Sequence, residues 1–469
     1  MRKFLVFGGI VVILGLLVVG AVSGGYYAMN HHFNPDPPQV AYAKPANLLE
    51  AQRQDLDYFA KLIAMDRAFS PANRAEANRR ITAMQAAPNA ITPQEFTVRL
   101  MQITALADNG HTHLRLFNPD RVQPGVLPIR VTRFADGFYV MRARDAYADM
   151  LGGRVESIDG VPFDEKVLPQ METLRGGLEA FRRENVPIFV VIQDLLYGLG
   201  IAKDPDHSTW TVRLPSGKTV THTLTATPLS KTDPFPYGFR WLSPEPLKAM
   251  GAGWQSAKPA SGKIPLTRHN LDRVFLDAPI EGSCARFIRM QDIVDTDGQK
   301  IKPFIADTEA DLKAHPACAA IVDLRGNGGG DYTNGWDFGH DLPKLVGHVY
   351  VLTDPDTFSA AITTTAFLRE TGGTNVTILG EPVGDRLAFY AEGAQGCLPN
   401  SKLCATYETG KHDYSAPCTD WNDCYWLNWF YPVRVKTLQP DELIPSRFSD
   451  WNAGRDVAFE RAVALAGKR

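Results

Sequence analysis

Residues 319–335 have the sequence AAIVDLRGNGGGDYTNG, in which a buried strand leads into a glycine-rich turn. The apolar run ends in Asp323-Leu324-Arg325, and three consecutive glycines follow at 328–330. Glycines let backbone N–H groups approach a bound group closely. Such a turn fits an oxyanion hole or a phosphate cradle, and a plain strand-to-helix turn is the third possibility. A dinucleotide site is not indicated, because GxGxxG would have to open the first βαβ unit, whereas GNGGG lies late in this chain.

Strands and helices alternate on both sides of this turn. Strands are predicted for the segments SCARFIRM, VGHVYVLT and NVTILGE, and helices for KPFIADTEADLKAHP and for the residues after Ser359. Such alternation is typical of helices layered on a sheet. Residues 270–469 are therefore predicted to form an α/β layered core.

Ser359 lies in TDPDTFSAAITTTAFLRE, residues 353–370, where a predicted strand gives way to a predicted helix. That helix should run to about Glu370 and end at Gly372-Gly373. A serine at this position commonly caps the first backbone N–H groups of a helix. The same N–H groups and the helix dipole would also stabilise an alkoxide or oxyanion. This stretch alone leaves both roles open, cap and nucleophile.

His111 lies in ADNGHTHLRLF, residues 107–117, after a helix end and a turn. It is expected to alternate with His113 on a short strand. Histidine is the usual base for a serine nucleophile. An HxH pair can also bind a metal, but no HExxH-like cluster supplies a third ligand, and a structural histidine is the remaining alternative. We expect neither a metal site nor a cofactor.

The N-terminal half is predicted to contain a helical region and a separate module. In the helical region, residues 46–118, one helix should begin at Thr92-Pro93, with Glu95 completing a capping box, and should stop at DNG. The module spans residues 124–230, where two hairpins with turns at 136–137 and 216–217 flank a helical stretch. An α+β architecture is therefore expected, and a Pro/Gly-rich connection over about 230–270 follows it.

Within this module, LGGRVESIDGVPF at residues 151–163 is similar to a strand and turn of PDZ domains. PDZ domains bind peptide ends by adding a strand to a sheet edge. A small β-module without peptide binding is the alternative.

The first thirty residues differ from the rest of the chain. Arg2 and Lys3 precede an uncharged run from Phe4 to Val22, which is long enough to cross a bilayer. The small residues AVSGG could be a cleavage site, so residues 1–30 are predicted to be a signal anchor or a signal peptide. Either one exports the body of the chain, and the Pro-rich residues 31–45 would form a linker.

Four of the six cysteines lie within 397–424, in a segment rich in turn-forming and aromatic residues. Paired cysteines in exported loops usually form disulfides, so two bridges are predicted there, with the connectivity left open. A zinc site is less suited, because the spacings are not CxxC. Cys284 and Cys318 lie in strand-like runs and are predicted to be buried thiols.

The overall composition is that of an ordinary globular protein. Of the 469 residues, 22% are charged, and the formal net charge is -3. No basic stripe or basic-aromatic pattern indicates a nucleic-acid partner.

Taken together and in this order, four motifs resemble the S41 peptidases, the tail-specific (C-terminal processing) proteases with their tricorn-like and retinoid-binding-protein-like relatives. The motifs are NGHTH, GGRVESIDGVPF, IVDLRGNGGG and TFSAA…LRE…ILGEPVGD. The resemblance implies a PDZ-like domain at 124–230 and a ClpP/crotonase-like core at 270–469 with a Cys-rich insertion at 397–431.

The resemblance also implies site residues. Ser359 would be the nucleophile, and an oxyanion hole would come from the backbone N–H groups of Ala360 and of a glycine of the pair Gly328 and Gly329. The processing proteases place a catalytic lysine in a GExTfGKg stretch. Here that stretch is GEPVGDR, with Asp385 and Arg386 at the position of the lysine.

An arginine cannot serve as a base, because it stays protonated. The tricorn-like branch uses a histidine from the N-terminal region, and His111 matches that position. The orienting acid does not map onto one residue, and there are four candidates: Glu381, Asp385, Glu392 and Asp441.

These inferences predict an exported serine peptidase that hydrolyses extracytoplasmic polypeptides, located in the periplasm or at the cell surface. Two alternatives remain open. One is a non-proteolytic binding scaffold with the S41 fold, and the other is an esterase or amidase with a small substrate.

Overall fold

The computed structural model describes residues 20, 22–118, 123–230, 239–248 and 250–467. Helices in this part of the chain are α1 (22–33), α2 (Leu48–Met65), α3 (Pro71–Ala86), α4 (Pro93–Thr104), α5 (Leu168–Glu172), α6 (Glu179–Val190), α7 (Gln193–Gly198), α8 (Ile301–Ala314), α9 (Trp336–Leu345), α10 (Ala360–Gly372), α11 (Phe448–Asn452) and α12 (Val457–Ala466).

Strands form several sheets between these helices. They are β1 (Leu114–Arg115), β2 (Gly125–Val126), β3 (Ile129–Phe134), β4 (Gly137–Arg144), β5 (Arg154–Ile158), β6 (Val161–Pro162), β7 (His207–Arg213), β8 (Thr219–Thr225), β9 (Thr227–Pro228), β10 (Trp254–Ser256), β11 (Phe275–Pro279), β12 (Ala285–Met290), β13 (Ala319–Asp323), β14 (Val349–Thr353), β15 (Val376–Gly380), β16 (Ala388–Cys397), β17 (Cys404–Asp413) and β18 (Glu442–Leu443).

The predicted α/β layered core is confirmed. Its sheet has the order β11-β12-β13-β14-β15-β18, and every pair from β12 onward is parallel. Alternate residues of β13 belong to different cores: Ala320 and Val322 pack with α8, α9 and α10, whereas Ala319 and Ile321 pack with α12. A parallel strand covered on both faces has to be apolar throughout, as AAIV is.

The N-terminal helical region has the predicted local structure. Thr92 caps α4 by accepting a hydrogen bond from the N–H of Glu95, and Pro93 is the first helical residue. The helix passes into a 3-10 turn, and Asp108 then adopts a left-handed conformation with φ 51°. One expectation is wrong: the strand expected to carry both histidines begins only at Leu114, so His111 lies in the turn before β1.

The module at 124–230 contains both predicted hairpins. Strands β3 and β4 flank the turn at 135–136, β7 and β8 flank 214–218, and helices α5, α6 and α7 lie between the hairpins. Strand β10, from the predicted connection, pairs with β4 and completes a seven-stranded sheet. The PDZ assignment and the domain boundaries stay predictions.

Most of the run Phe4–Val22, predicted to be a signal anchor or signal peptide, lies outside the described residues. Among the residues that are described, we find no helix with both the length and the apolar character needed to cross a bilayer.

Three disulfides tie the second half of the chain together. The two predicted for the Cys-rich segment are confirmed, Cys397–Cys404 and Cys418–Cys424. The prediction of free thiols elsewhere is wrong, because Cys284 and Cys318 are bonded to each other. They precede the neighbouring parallel strands β12 and β13, whose pairing brings the two residues together. Three disulfides are typical of an oxidising compartment.

Removing the Cys284–Cys318 bridge should destabilise the core more than removing the bridge Cys418–Cys424. The first closes 34 residues and the second 6, so chain entropy gives losses of about 4 and about 2 kcal/mol in the free energy of unfolding. Denaturant unfolding of the two double Cys→Ala variants measures both losses. An equal loss in the two variants would contradict the loop-length argument.

Candidate functional site

Two loops meet at one edge of the core sheet. They follow β13 and β14, and because these strands are parallel neighbours, both loops leave at the same edge. The fully buried Asn327 joins them, because its backbone carbonyl accepts a hydrogen bond from the N–H of Phe358 at 2.9 Å. Its side chain accepts from the N–H of Gly329 and donates to the carbonyl of Met290, both at 2.9 Å. The backbone and the side chain of Asn327 together therefore connect three backbone segments.

Asp354 connects the same two loops on another side. Its carboxylate accepts hydrogen bonds from the N–H of Gly326 at 3.0 Å and from the N–H of Asp356 at 3.1 Å. Burial raises the pKa of this carboxyl to about 7, and the negative charges of Glu184 and Glu381 add to the effect. The backbone N–H of Gly326 opposes it, because it stabilises the charged form.

Ser359 stands at the cap position of α10 but does not cap the helix. Its side chain makes no capping hydrogen bond, and its backbone has φ 52° and ψ -123°. A positive φ is strained for a residue with a side chain, and such strain is concentrated at functional sites. The helix itself is as predicted, because it runs from Ala360 to Gly372 and Gly373 ends it.

Gly329 and Ser359 are in very close contact. A Cβ on Gly329 would lie 2.6 Å from the Cβ of Ser359 and 2.9 Å from the backbone N of Ala360. In the described part of the chain, no acceptor pairs with the N–H of Ala360 or with that of Gly328. The N–H of Gly329 is engaged, because it donates to the side chain of Asn327. Two of the three predicted oxyanion donors therefore have their N–H groups unpaired beside Ser359.

His111 packs beside the residue that precedes the serine. Its ring centroid is 4.4 Å from that of Phe358, and it stacks on Phe389 at 5.4 Å. Both ring nitrogens are buried without a hydrogen-bond partner among the described residues, so none joins His111 to Ser359. Burial holds the pKa of His111 well below its usual value, and the positive charges of His412 and Arg175 act in the same direction.

Asp385 and Arg386 both act on the turn that carries His111. Arg386 donates to the carbonyl of Asp108 at 3.0 Å and to its carboxylate at 2.8 Å. The backbone N–H of Gly110 favours the charged form of Asp385, although burial outweighs it and raises the pKa of this carboxyl to about 6. The segment that holds the lysine in processing proteases thus holds the histidine turn here.

The other three candidate acids have different surroundings. Glu381 pairs with the buried Arg133, and Asp441 pairs with Arg369. Glu392 lies 3.4 Å from Nε2 of His412, which is within ion-pair distance but without hydrogen-bond geometry. Asp385 accepts a hydrogen bond from the N–H of Arg386 at 2.8 Å, and its other carboxylate oxygen is buried without a partner among the described residues.

Strand β17 contributes buried polar residues that the sequence interpretation missed. The carbonyl of His111 accepts a hydrogen bond from the Thr406 hydroxyl at 2.9 Å, and the ring of His412 stacks on Phe389 at 5.2 Å. Glu408 lies between these two residues in the sequence, and its side chain is buried. Burial raises the pKa of its carboxyl well above the usual range, and the negative charge of Asp66 raises it further. Thr406, Glu408 and His412 are separated by even numbers of residues along one strand, and this spacing could have predicted that their side chains share one face of the sheet.

Two further features could contribute to such a site, a metal-ligand cluster and a nearby cavity. The described residues contain no cluster of three His, Cys, Asp or Glu side chains that could hold a metal. A solvent-open cavity at the same sheet edge is lined by Arg133, Asp354, Glu381 and others, and its lining includes neither Ser359 nor His111.

Comparison with known proteins identifies the fold. No protein-family model and no curated protein matches the sequence. Among solved structures, mature CPAF complexed with lactacystin is 13% identical, and the match covers 90% of this chain and 99% of that one with a TM-score of 0.57. This chain has the fold of CPAF. A serine-to-alanine CPAF mutant matches at 13% identity, 90% and 98% coverage and a TM-score of 0.59.

A putative S41 protease from Bacteroides fragilis is 12% identical over 92% of this chain and 99% of its own, with a TM-score of 0.36. At 13% identity the match to CPAF shows the fold alone, and the resemblance to the S41 peptidases stays one of sequence motifs.

Replacing Gly329 by alanine should displace Ser359. The added Cβ would meet the serine and the backbone N of Ala360, so the reactive geometry should shift, and labelling by a serine-reactive probe should slow by roughly 100-fold. Gly282→Ala is the matched control, because Gly282 also has a positive φ but open space around it. Equal labelling of both variants would show that the close approach of Gly329 does not matter.

Asp354→Asn should change how stability depends on pH. The folded pKa of about 7 is above the usual value of 3.8 for an aspartate, so the native state holds the extra proton between these values. The stabilising contribution of the protonated form is therefore lost as the pH rises through 7. The difference in melting temperature between the variant and the wild type should therefore shift in favour of the variant as the pH rises from 5 to 8. A constant difference across this range would contradict the shifted pKa.

Proposed function

We propose that this chain is an exported serine peptidase with Ser359 as its nucleophile. One observation carries the proposal: Ser359 is held at a strained φ of 52° where α10 begins, next to the unpaired N–H of Ala360 and in close contact with Gly329. A strained strand-to-helix turn presents a serine oxygen in this way in other hydrolases. The fold shared with CPAF and the S41-type motifs support a peptidase.

The N–H groups near Ser359 suit an oxyanion hole. A tetrahedral intermediate places a negative oxygen next to the attacked carbon, and preorganised N–H donors lower its energy. Ala360 is the first residue of a 13-residue helix, so the helix dipole adds to the effect. Gly328 is the preferred second donor of the glycine pair, because the N–H of Gly329 is already engaged by Asn327.

His111 is proposed as the base. A base must be neutral before it accepts a proton, and burial keeps the pKa of His111 low, so the ring is neutral at physiological pH. Its unpaired nitrogens are free to accept the Ser359 proton once the side chain turns toward the serine. Catalytic hydrogen bonds are often absent without substrate and form in the substrate complex. A bound polypeptide would order the His111 side chain so that one ring nitrogen meets the hydroxyl of Ser359.

The reaction proceeds in two steps. His111 accepts the Ser359 proton while Ser359 Oγ attacks the peptide carbonyl, and the N–H groups of Ala360 and Gly328 hold the oxyanion. His111 then gives the proton to the leaving amine, and an acyl-enzyme remains. Water deprotonated by His111 releases the second product and restores the serine. Arg386, rather than one of the candidate acids, holds the turn before His111 through its hydrogen bonds to Asp108.

Ser359→Ala and His111→Ala should each abolish hydrolysis of an unfolded polypeptide, with a loss of about 1000-fold or more. Matched controls are Ser216→Ala and His222→Ala, which change a hairpin turn and an exposed histidine of the seven-stranded sheet. Both controls should keep full activity. Unchanged hydrolysis in either site variant would refute its assignment.

The absence of a hydrogen bond between Ser359 and His111 favours the alternative of a binding scaffold. Labelling with a serine-reactive probe distinguishes this alternative from a peptidase. A peptidase should label at Ser359, and labelling should fall in His111→Ala. A folded wild-type protein that neither labels nor hydrolyses any polypeptide would favour the scaffold. Labelling with hydrolysis of small esters only would favour an esterase or amidase.

A further inference from the structure

Exposed aromatic side chains gather where α1 meets the Cys-rich segment. Six of the ten large apolar side chains that are exposed in the described structure belong to these two elements. Five of them form what we call the aromatic patch: Tyr26, Tyr27, Trp421, Trp429 and Phe430. Trp421 and Phe430 are 64% and 65% exposed, values that are costly for rings of this size in water.

The aromatic patch is connected through its rings. Tyr26 contacts Trp426 edge to face at 5.5 Å, and Trp426 contacts Phe430 at 5.9 Å. Trp421 contacts Trp429 at 6.3 Å, and Trp429 ends the same 3-10 turn, Trp426–Trp429, that begins at Trp426. Trp426 therefore links a ring of α1 to the Cys-rich segment, and the pair Trp421 and Trp429 continues from the other end of the same turn.

The Cys-rich part of the patch is held in place. The disulfide Cys418–Cys424 closes the loop that carries Trp421, and Cys424 forms a β-bridge with Lys411 of β17. Tyr425 is buried against the core. Exposure of these rings is therefore a fixed property of the fold.

Helix α1 is fixed at its C-terminal end. Phe33 is fully buried and meets Tyr425 edge to face at 5.5 Å, and its carbonyl accepts a hydrogen bond from the Thr409 hydroxyl. At the opposite end, Val22 is 65% exposed. Val22 is also the last residue of the uncharged run that begins at Phe4, which by its sequence is long enough to cross a bilayer. The patch thus lies beside the point at which this run enters the body.

We propose that the aromatic patch rests on a lipid bilayer, with its rings at the level of the headgroups. Tyrosine and tryptophan are enriched at this level because each has an apolar ring and a polar group. If Val22 ends the hydrocarbon core, Tyr26 lies about 6 Å further along the helix. The headgroup layer on each side of a bilayer is roughly 5–7 Å thick, so the patch falls within it.

This inference concerns a surface and does not depend on the proposed peptidase activity. An uncleaved anchor would keep the patch on the membrane. Cleavage of residues 1–30 would remove Tyr26 and Tyr27, and the exposed rings of Trp421, Trp429 and Phe430 would remain to favour the interface. The consequence is a defined orientation, in which one side of the three-stranded sheet β1-β17-β16 faces the lipid.

Fluorescence quenching of the full chain in phosphatidylcholine vesicles tests the orientation. Lipids brominated near the headgroup end of the acyl chain should quench the tryptophan emission more than lipids brominated near the chain end. The double variant Trp421→Phe/Trp429→Phe removes two of the eight tryptophans and keeps an aromatic ring at each position. It should lose most of this quenching, whereas Trp254→Phe, on strand β10 of the seven-stranded sheet, should retain it.

Two results would overturn the proposal. The first is equal quenching in the wild type and in the Trp421→Phe/Trp429→Phe variant, because the quenched residues would then lie elsewhere. The second is an absence of quenching in vesicles together with a dimer that the substitution Phe430→Ser dissociates, as measured by sedimentation. In that case a second copy of this chain would cover the aromatic patch.

Discussion

The candidate site depends on one close approach, that of the Gly329 backbone to Ser359. A side chain at 329 would place its Cβ 2.6 Å from the Cβ of the serine, so only glycine allows the two loops to meet. Asn327 holds this approach, because its carbonyl accepts from Phe358 and its side chain accepts from Gly329. The strained backbone of Ser359 persists because the surrounding hydrogen bonds determine it. Parallel pairing of β13 with β14 is what brings the loops to one edge.

The GEPVGDR segment gives the histidine site its support. In the processing proteases that the motifs resemble, a lysine of this segment serves as the base for the serine. Here Arg386 donates to the carbonyl and to the carboxylate of Asp108 and thereby holds the turn before His111. Other contacts fix the same turn, because the side chain of Asn109 donates to the carbonyl of Tyr390 at 2.9 Å and the Thr406 hydroxyl donates to the carbonyl of His111 at 2.9 Å. In the proposed reaction, the segment that lacks the lysine therefore supports the turn that carries the proposed base.

Local patterns allowed much of this fold to be predicted. The side-chain cap at Thr92, the α10 helix after Ser359 and the two hairpins depend on neighbours within a few residues. Long-range pairing could not be predicted in the same way. The bond between Cys284 and Cys318 follows from the alignment of β12 with β13, which no local pattern records. For the same reason His412 was missed: β17 brings it to Phe389 from more than 300 residues after His111.

The burial of His111 has opposite effects on stability and on the proposed chemistry. Two buried nitrogens without partners cost free energy in the folded state, because each has lost its hydrogen bond to water. The same burial keeps the ring in the neutral form that can accept a proton, although the lowered pKa also makes the ring a weaker base until a bound substrate changes its surroundings. Packing between Phe358 and Phe389 offsets part of the cost and leaves the ring edge without a fixed partner. A base held by stacking alone can turn toward Ser359 without breaking a hydrogen bond, so a bound polypeptide has only to order the ring.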